Sequence, residues 1–231
     1  MISLEAVKFR YEAMLMNFDL HVASGEFMGV IGPSGAGKST LLSLIAGFEQ
    51  PLSGHLKIAG IDMEGAAPDQ RPVSMIFQDN NSFAHMDVWT NVALGISPRL
   101  KLNEQQRSRI DSALDRVGLG LYKSRKPTEI SGGEKQRIAI ARALVRDKPI
   151  LLLDEPFTAL GPALRREMLD LILEIQKEKN LTILMVSHQP EDARYAATKI
   201  AFVESGRITH ALSTKAFFAD GAPKEIKDYL A

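Results

Sequence analysis

The residues of this chain best suited to chemistry lie at positions 32–39, Gly-Pro-Ser-Gly-Ala-Gly-Lys-Ser. Their spacing fits the phosphate-loop pattern, in which glycines let successive backbone N–H groups curl around an anion. Lys38 would reach the β- and γ-phosphates of a nucleotide as a point charge, and the Ser39 hydroxyl would bind Mg²⁺. The pattern predicts a polyphosphate-binding loop that consists of Gly32, Pro33, Ser34, Gly35, Ala36, Gly37, Lys38, Ser39 and Thr40.

The segments on either side of this loop have the character that the motif requires. An apolar run at 27–31 precedes it, as a buried strand should, and apolar residues at 41–46 follow with helical spacing. A glycine-rich turn with a chance lysine is the alternative interpretation. The strand before the loop and the helix after it argue against that alternative.

Two acidic residues, Asp154 and Glu155, directly follow the apolar run 150–153. Asp154 is placed to hold Mg²⁺, and Glu155 to polarise an attacking water as a general base. A helix N-cap before Pro156 would explain one of the two carboxylates but not both. We therefore predict a catalytic role for Glu155 and a metal-binding role for Asp154, provided that their strand lies beside the phosphate loop.

Gln78 and His188 each stand where an apolar run ends, which is the usual place for ligand contacts in an open α/β sheet. Gln78 could bind the metal and sense the γ-phosphate. His188 could hydrogen-bond that phosphate and orient Glu155. Taken singly, each could equally be an ordinary polar residue at a strand end, so their weight depends on agreement with the other motifs.

A second glycine-bearing turn, 130–137, leads into a helical pattern. Such a turn presents N–H groups and a serine hydroxyl to an anion at a helix N-terminus. Considered alone, Ser131 would be an ordinary capping residue before two glycines.

Composition limits the classes of protein to which the chain can belong. It has 231 residues, of which 45% are hydrophobic, and it carries 28 basic and 28 acidic side chains. Because the net charge is zero, the chain lacks the excess of basic residues that is typical of nucleic-acid-binding proteins, and we expect no nucleic-acid partner. The absence of cysteine excludes disulfides and thiol chemistry. No leader pattern and no apolar run of about 18 residues is present, so we expect neither export nor membrane spanning.

Hydrophobic periodicity predicts an α/β fold. Residues 2–9 indicate an edge strand and 16–22 a second strand, and residues 62–72 read as loop. Asn103 with Gln106 predicts a capping box before an amphipathic helix that ends at Gly118. Further along the chain strands alternate with helices, which favours a mostly parallel sheet covered on both faces.

In their order along the chain, the phosphate loop, Gln78, the Ser-Gly-Gly turn, Asp154-Glu155 and His188 resemble the ATP-binding subunits of ABC transporters over essentially the whole sequence. The resemblance implies a P-loop NTPase (RecA-like) core with a mostly parallel sheet, an N-terminal antiparallel β part and an inserted helical subdomain. It implies a single domain at 1–231, with the nucleotide-binding core at 1–83 and 148–231 and the helical subdomain at 84–147.

The resemblance also implies roles for residues and partners. Tyr11 corresponds to the aromatic residue that stacks on adenine, although it could merely pack at a strand end. The signature turn touches the γ-phosphate of MgATP held by a second, head-to-tail copy, so a homodimer is expected. A groove by Gln78 takes an integral membrane permease, which a periplasmic binding protein supplies with substrate, at the cytoplasmic face of the bacterial inner membrane. The signature residues are Ser131, Gly132, Gly133 and Glu134.

A narrower resemblance to the ATPases of bacterial thiamine importers lies in segments 70–78, 79–85 and 94–103. It implies ATP hydrolysis coupled to import of thiamine and its phosphates. The alternatives are an importer ATPase for another small solute, a non-transport ABC ATPase, and a small-molecule phosphotransferase. A phosphotransferase would leave the Ser-Gly-Gly turn and the helical insertion unexplained.

The chain departs from the family pattern at three positions. Gly161 stands where the family usually has an aspartate that caps the following helix and takes part in contacts across the dimer. Ile130 and Glu134 replace the commoner Leu and Gln of the signature. Because glycine is a tolerable N-cap, we expect the change at Gly161 to affect communication between the two ATP sites rather than folding.

Overall fold

The computed structural model describes residues 1–79 and 82–231. The strands are β1 (Ile2–Tyr11), β2 (Met14–Val22), β3 (Phe27–Ile31), β4 (Ser53–Ile58), β5 (Ile61–Asp62), β6 (Val73–Ile76), β7 (Ile150–Asp154), β8 (Thr182–Val186), β9 (Lys199–Glu204) and β10 (Arg207–Ser213). The helices are α1 (Lys38–Ala46), α2 (Val88–Ala93), α3 (Glu104–Arg116), α4 (Gly132–Arg146), α5 (Pro162–Lys179), α6 (Pro190–Ala196), α7 (Thr214–Phe217) and α8 (Lys224–Leu230).

The chain divides into two compact units. The first consists of residues 1–73, 149–155 and 173–231, and the second of residues 74–148 and 156–172. In the first unit the strand order is β5-β4-β1-β2-β10-β9-β3-β8-β7. Strands β7, β8, β3 and β9 pair in parallel, whereas β1 pairs antiparallel with both β2 and β4. The sheet is therefore mixed, with the parallel core and the antiparallel N-terminal part that were predicted.

Strand β1 is an internal strand, so the predicted edge strand is wrong. It lies between β2 and β4, with Ile2 paired to both Val22 and Ile58. An alternating pattern shows that one face is buried but does not show how many neighbours a strand has. The second neighbour comes from β4, which begins more than 40 residues later in the chain.

Register in the parallel core aligns the carboxyl ends of three strands. Strands β3 and β8 are buried at every position, which removes the polar alternation seen in half-exposed strands. Val186 of β8 pairs with Val30 on one side and with Asp154 on the other. The phosphate loop, the Asp154-Glu155 pair and the Ser187-His188 pair consequently leave the sheet at the same edge.

A fully buried arginine donates hydrogen bonds to the C-terminal end of α1. Arg71 is 1% exposed, lies in the segment that was predicted to be a loop, and donates hydrogen bonds to four backbone carbonyls. Its Nη1 reaches the carbonyls of Leu44 and Ile45 at 2.6 and 3.0 Å, which satisfies acceptors at the helix C-terminus. Its Nη2 and Nε reach the carbonyls of Met63 and Ala66, both at 3.1 Å. Burial lowers the pKa of this guanidinium.

The second unit is mostly helical. Asn103 and Gln106 form the predicted capping box at the start of α3, and Ile110 and Leu114 bury its apolar face. The amide of Asn91, in α2, is fully buried and donates to the carbonyls of Phe83, Met86 and Asp87. Within residues 1–79 and 82–231, no helix combines the length and apolar character needed to cross a membrane.

Candidate active site

The backbone of the phosphate loop has the conformation that its glycines allow. Gly32 and Gly37 have φ values of +153° and +102°, in the region that side chains disfavour. A Cβ on Gly32 would lie 1.9 Å from the carbonyl oxygen of Val203, so only glycine fits there. Gly37 is the N-cap of α1, which begins at Lys38. The helix therefore begins at the loop, as predicted, and its N-terminus is the end that suits an anion.

Lys38 is almost completely buried against the loop. It is 5% exposed, and its Nζ donates to the carbonyl oxygens of Gly32 and Pro33, both at 2.8 Å. Desolvation lowers the pKa of Lys38, while attraction to Glu155 and Asp154 opposes that shift. The ammonium group lies where phosphate oxygens of a bound nucleotide would serve as better acceptors than the two carbonyls.

Ser39 and Asp154 meet directly. The Ser39 hydroxyl donates to Asp154 Oδ1 at 2.9 Å, although 115 residues separate them in the sequence. A hydroxyl, a carboxylate and the oxygens of a polyphosphate are the donor set that Mg²⁺ uses in nucleotide sites, so these residues fit that ion. No cluster of three or more His, Asp or Glu side chains able to hold a metal occurs in the described part of the chain.

Asp154→Asn should stabilise the nucleotide-free protein at neutral pH. Burial raises the pKa of Asp154, so the folded protein binds a proton there more tightly than the unfolded chain does. The carboxyl therefore contributes fully to stability below the ordinary aspartate pKa, and the contribution is lost as the pH rises through its folded-state pKa. Thermal unfolding measured against pH, without nucleotide or Mg²⁺, should show the wild-type Tm falling relative to the variant in that window. A constant Tm difference from acid to neutral pH would contradict this.

Glu155 and His188 form a close pair beside the loop. His188 Nε2 lies 2.5 Å from Glu155 Oε1, and the Glu155 side chain is only 11% exposed. The backbone of Glu155 has φ +48°, and its N–H donates to the carbonyl of Val186 at 3.1 Å. A non-glycine residue in this region is strained, and such strain is concentrated at functional sites. The carboxylate is held against the histidine, the arrangement expected of an oriented general base.

One cavity of about 210 Å³ is lined by half of the predicted site residues. Tyr11 lies at this cavity with 57% of its surface exposed, which leaves its ring available for stacking. Met16 also lines the cavity, but no sequence motif marks it, because a buried methionine in a strand cannot be distinguished from an ordinary core residue. All the lining residues belong to the first unit: Tyr11, Met16, Ser34, Gly35, Gly37, Lys38, Ser39, Thr40, Glu155 and His188.

Other predicted site residues belong to the second unit. Gln78 is exposed and follows β6. Ser131 is the N-cap of α4 in a capping box, and the Glu134 carboxylate accepts from the Ser131 N–H and hydroxyl at 2.7 and 2.8 Å. These two hydrogen bonds lower the pKa of Glu134. A Cβ on Gly133 would lie 2.5 Å from Leu164 Cδ2, whereas the space around Gly132 is open.

The sequence is similar to a family model and to individual proteins along most of its length. A sequence model of the ABC transporter family matches residues 15–158. The chain is 50% identical over 229 residues to the thiamine import ATP-binding protein ThiQ of Mesorhizobium japonicum, covering 99% of this chain and 90% of the relative. It is 45% identical over 231 residues to ThiQ of Vibrio cholerae, covering 100% of this chain and 97% of the relative.

Solved structures agree with the sequence comparisons. The structure of cbiO1 from Clostridium perfringens, part of the ABC transporter complex cbiONQ, superposes with a TM-score of 0.85 at 29% identity, covering 95% of this chain and 90% of that one. A dimeric ATP-binding cassette in a post-hydrolysis state, bound to ADP and Pi, gives 0.80 at 27% identity, covering 93% and 99%. The predicted fold class and family resemblance are confirmed. The chain belongs to the ABC transporter family as an ATP-binding, ATP-hydrolysing subunit.

Proposed function

We propose that this chain is the ATPase subunit of a bacterial thiamine importer. The observation that carries the proposal is the convergence of Lys38, Ser39, Glu155 and His188 on one cavity, with Asp154 hydrogen-bonded to Ser39. The specificity for thiamine is supported by 45% and 50% identity to thiamine import ATPases along nearly the whole chain. The cavity chemistry accounts for ATP hydrolysis, and the cargo follows from the relatives alone.

The cavity residues divide the chemistry between binding and proton transfer. Lys38 and the N–H groups of the loop bind the phosphates and stabilise the charge that develops on them. Glu155 accepts a proton from the attacking water, and His188 holds the carboxylate in position and hydrogen-bonds the γ-phosphate. Ser39 and Asp154 would hold Mg²⁺, which would supply Lewis-acid stabilisation of the phosphate oxygens. The metal-binding role of Gln78 stays a prediction. Tyr11 stacks on the adenine ring.

The signature residues act on a nucleotide bound to another copy of the chain. Ser131, Gly132, Gly133 and Glu134 form a helix N-terminus with a serine hydroxyl, which suits an anion. The dimeric ATP-binding cassette bound to ADP and Pi supports a homodimer. In this proposal two copies enclose two ATP molecules head to tail, so each active site is completed by the partner chain.

Transport requires partners beyond the ATPase dimer. The cbiO1 neighbour belongs to an ABC transporter complex, which supports an integral membrane permease as partner. The helical subdomain, residues 84–147, lies inside the second unit and would dock the permease at the cytoplasmic face of the inner membrane. A periplasmic binding protein would deliver thiamine to that permease without touching this chain.

Uptake of labelled thiamine by cells that lack this chain tests the proposal. Wild-type chain should restore uptake, Glu155→Gln should not, and Glu64→Gln should. Glu64 provides the matched control because it undergoes the same chemical change at an exposed position after β5, outside both the nucleotide cavity and the helical subdomain. Uptake that is unaffected by deletion, together with intact ATPase activity of the purified chain, would favour an importer for another solute.

Gly161→Asp should change ATP turnover or its cooperativity more than it changes thermal stability. A Cβ at Gly161 meets nothing within 4 Å, and Pro162 begins α5, so an aspartate fits as an N-cap. Replacing glycine by a better cap changes stability by only about a few tenths of a kcal/mol. The check is ATPase rate against ATP concentration, with Tm measured in parallel. Identical kinetics in both proteins would contradict a role for this position in dimer communication.

A further inference from the structure

The turn between β9 and β10, Ser205-Gly206, contacts the phosphate loop although no sequence motif marks it. The Gly206 N–H donates to the carbonyl oxygen of Ala36 at 3.0 Å. The carbonyl oxygen of Gly206 accepts from the N–H of Asn17, in β2, at 2.8 Å. The turn therefore joins the loop to a neighbouring strand by main-chain hydrogen bonds alone.

Gly206 is confined as well as hydrogen-bonded. It has φ +76°, and a Cβ there would lie 2.9 Å from Met16 Cγ and 3.2 Å from Met16 Cα. Met16 in turn touches the loop, because a Cβ on Gly37 would lie 3.0 Å from its Sδ. Met16 is 3% exposed and lines the nucleotide cavity. A side chain at position 206 would therefore displace either the turn or the methionine that packs on the loop.

The hydrogen bond from Gly206 fixes the orientation of one peptide plane in the loop. In a trans peptide the C=O and the N–H point in opposite directions. With the Ala36 carbonyl held by Gly206, the N–H of Gly37 points away from the turn, and Gly37 lines the cavity. If the plane rotated, it would present a carbonyl oxygen instead of a donor to an incoming phosphate.

The same hairpin contacts the first glycine of the loop. Ile31 pairs with Phe202 of β9, and the next residue in each strand brings Gly32 against the carbonyl oxygen of Val203. The β9–β10 hairpin thus holds the loop at Gly32 and again at Ala36. These two contacts lie on either side of Ser34 and Gly35, which line the cavity.

We propose that the Ser205-Gly206 turn holds the phosphate loop in its nucleotide-binding conformation and that Gly206 is a positioning residue for ATP. The inference rests on the proposed nucleotide site, but it concerns a residue that does not line the cavity. Loss of this contact should weaken ATP binding, because the unbraced loop must be ordered again when the nucleotide binds.

Two alanine variants separate this role from a general loss of stability. Gly206→Ala and Gly60→Ala both place a side chain on a left-handed backbone, with φ +76° and +81°, but the Cβ at position 60 meets nothing within 4 Å. Both variants should lower the Tm. Only Gly206→Ala should raise the Kd for a fluorescent ATP analogue, by roughly five- to tenfold, as expected for the loss of one hydrogen bond.

Hydrogen exchange on the unaltered chain provides a second measurement in case Gly206→Ala does not fold. Coupling between two contacts is reciprocal, so the analogue should slow exchange of the Gly206 amide. The Leu52 amide, which donates to the Lys8 carbonyl at 2.7 Å, should not change. Equal Kd values for the two variants, or an exchange rate of the Gly206 amide that the analogue does not change, would overturn the role of the Ser205-Gly206 turn. Neither result would contradict the proposed function. An unaltered chain that fails to bind the analogue would overturn the proposed function together with this inference.

Discussion

Glu155→Gln should reduce ATP hydrolysis by about 10²- to 10⁴-fold while leaving ATP affinity nearly unchanged. The glutamine amide has the size and shape of the carboxylate and can still hydrogen-bond His188, which lies 2.5 Å from Glu155 Oε1. It cannot accept a proton from the attacking water. The change removes an interaction needed in the transition state and keeps those made in the ground state. Phosphate release at saturating ATP and a separate Kd measurement distinguish the two effects.

The Glu155→Gln protein should also accumulate as an ATP-bound dimer on size exclusion, because hydrolysis no longer separates the copies. Glu64→Gln is the matched control and should behave as the wild type in both assays. A residual hydrolysis rate within tenfold of wild type would contradict the general-base assignment. A monomer at saturating MgATP would contradict the shared site while leaving the role of Glu155 in place.

Lys38→Met should weaken ATP binding by roughly 10- to 150-fold, which corresponds to a lost hydrogen bond to a charged group. The same substitution should raise the Tm of the nucleotide-free protein. The Lys38 ammonium is 5% exposed and donates to two carbonyls at 2.8 Å, and desolvation lowers its pKa in spite of the attraction of Glu155 and Asp154. Methionine fills a similar volume without a charge to desolvate.

The predicted increase in Tm can be tested by measuring how the Tm difference between Lys38→Met and the wild type changes with pH. A lowered pKa means that the folded protein binds the Lys38 proton less tightly than the unfolded chain. The folded state is therefore penalised at neutral pH, and the penalty disappears as the pH rises through the folded-state pKa towards the ordinary lysine value. The Tm advantage of Lys38→Met should be largest near neutral pH and should shrink in alkaline solution. Lys224→Met, at an exposed position, is the control and should show no such trend.

Local patterns were sufficient to predict the phosphate loop and its helix. Asp154, Glu155 and His188 could be predicted as well, because parallel strands bring their carboxyl ends to one edge of a sheet. The rule places these residues at one edge but does not say which strands are neighbours, so the roles of Asp154 and Glu155 depended on their strand lying near the phosphate loop. The structure meets that condition, because the Ser39 hydroxyl lies 2.9 Å from Asp154 Oδ1.

What could not be predicted depends on strand order. Strand β1 was expected at an edge, and its second neighbour β4 cannot be inferred from alternation within β1. The contact of Gly206 with Ala36 requires β10 to lie beside β2, a pairing between segments nearly 200 residues apart. Arg71 lies in a loop as predicted, but the burial of its side chain could not be predicted, because two of its four carbonyl partners belong to α1.

The four carbonyl partners of Arg71 link the end of α1 to the segment that follows β5. The guanidinium cannot stay buried with its donors satisfied unless the last turn of α1 and residues 63–66 are both in place. These segments should consequently form and open as one cooperative folding unit, although they are separate in the sequence. Native-state exchange would then give a common opening free energy for Gly47, which sits against Arg71, and for the backbone around Met63.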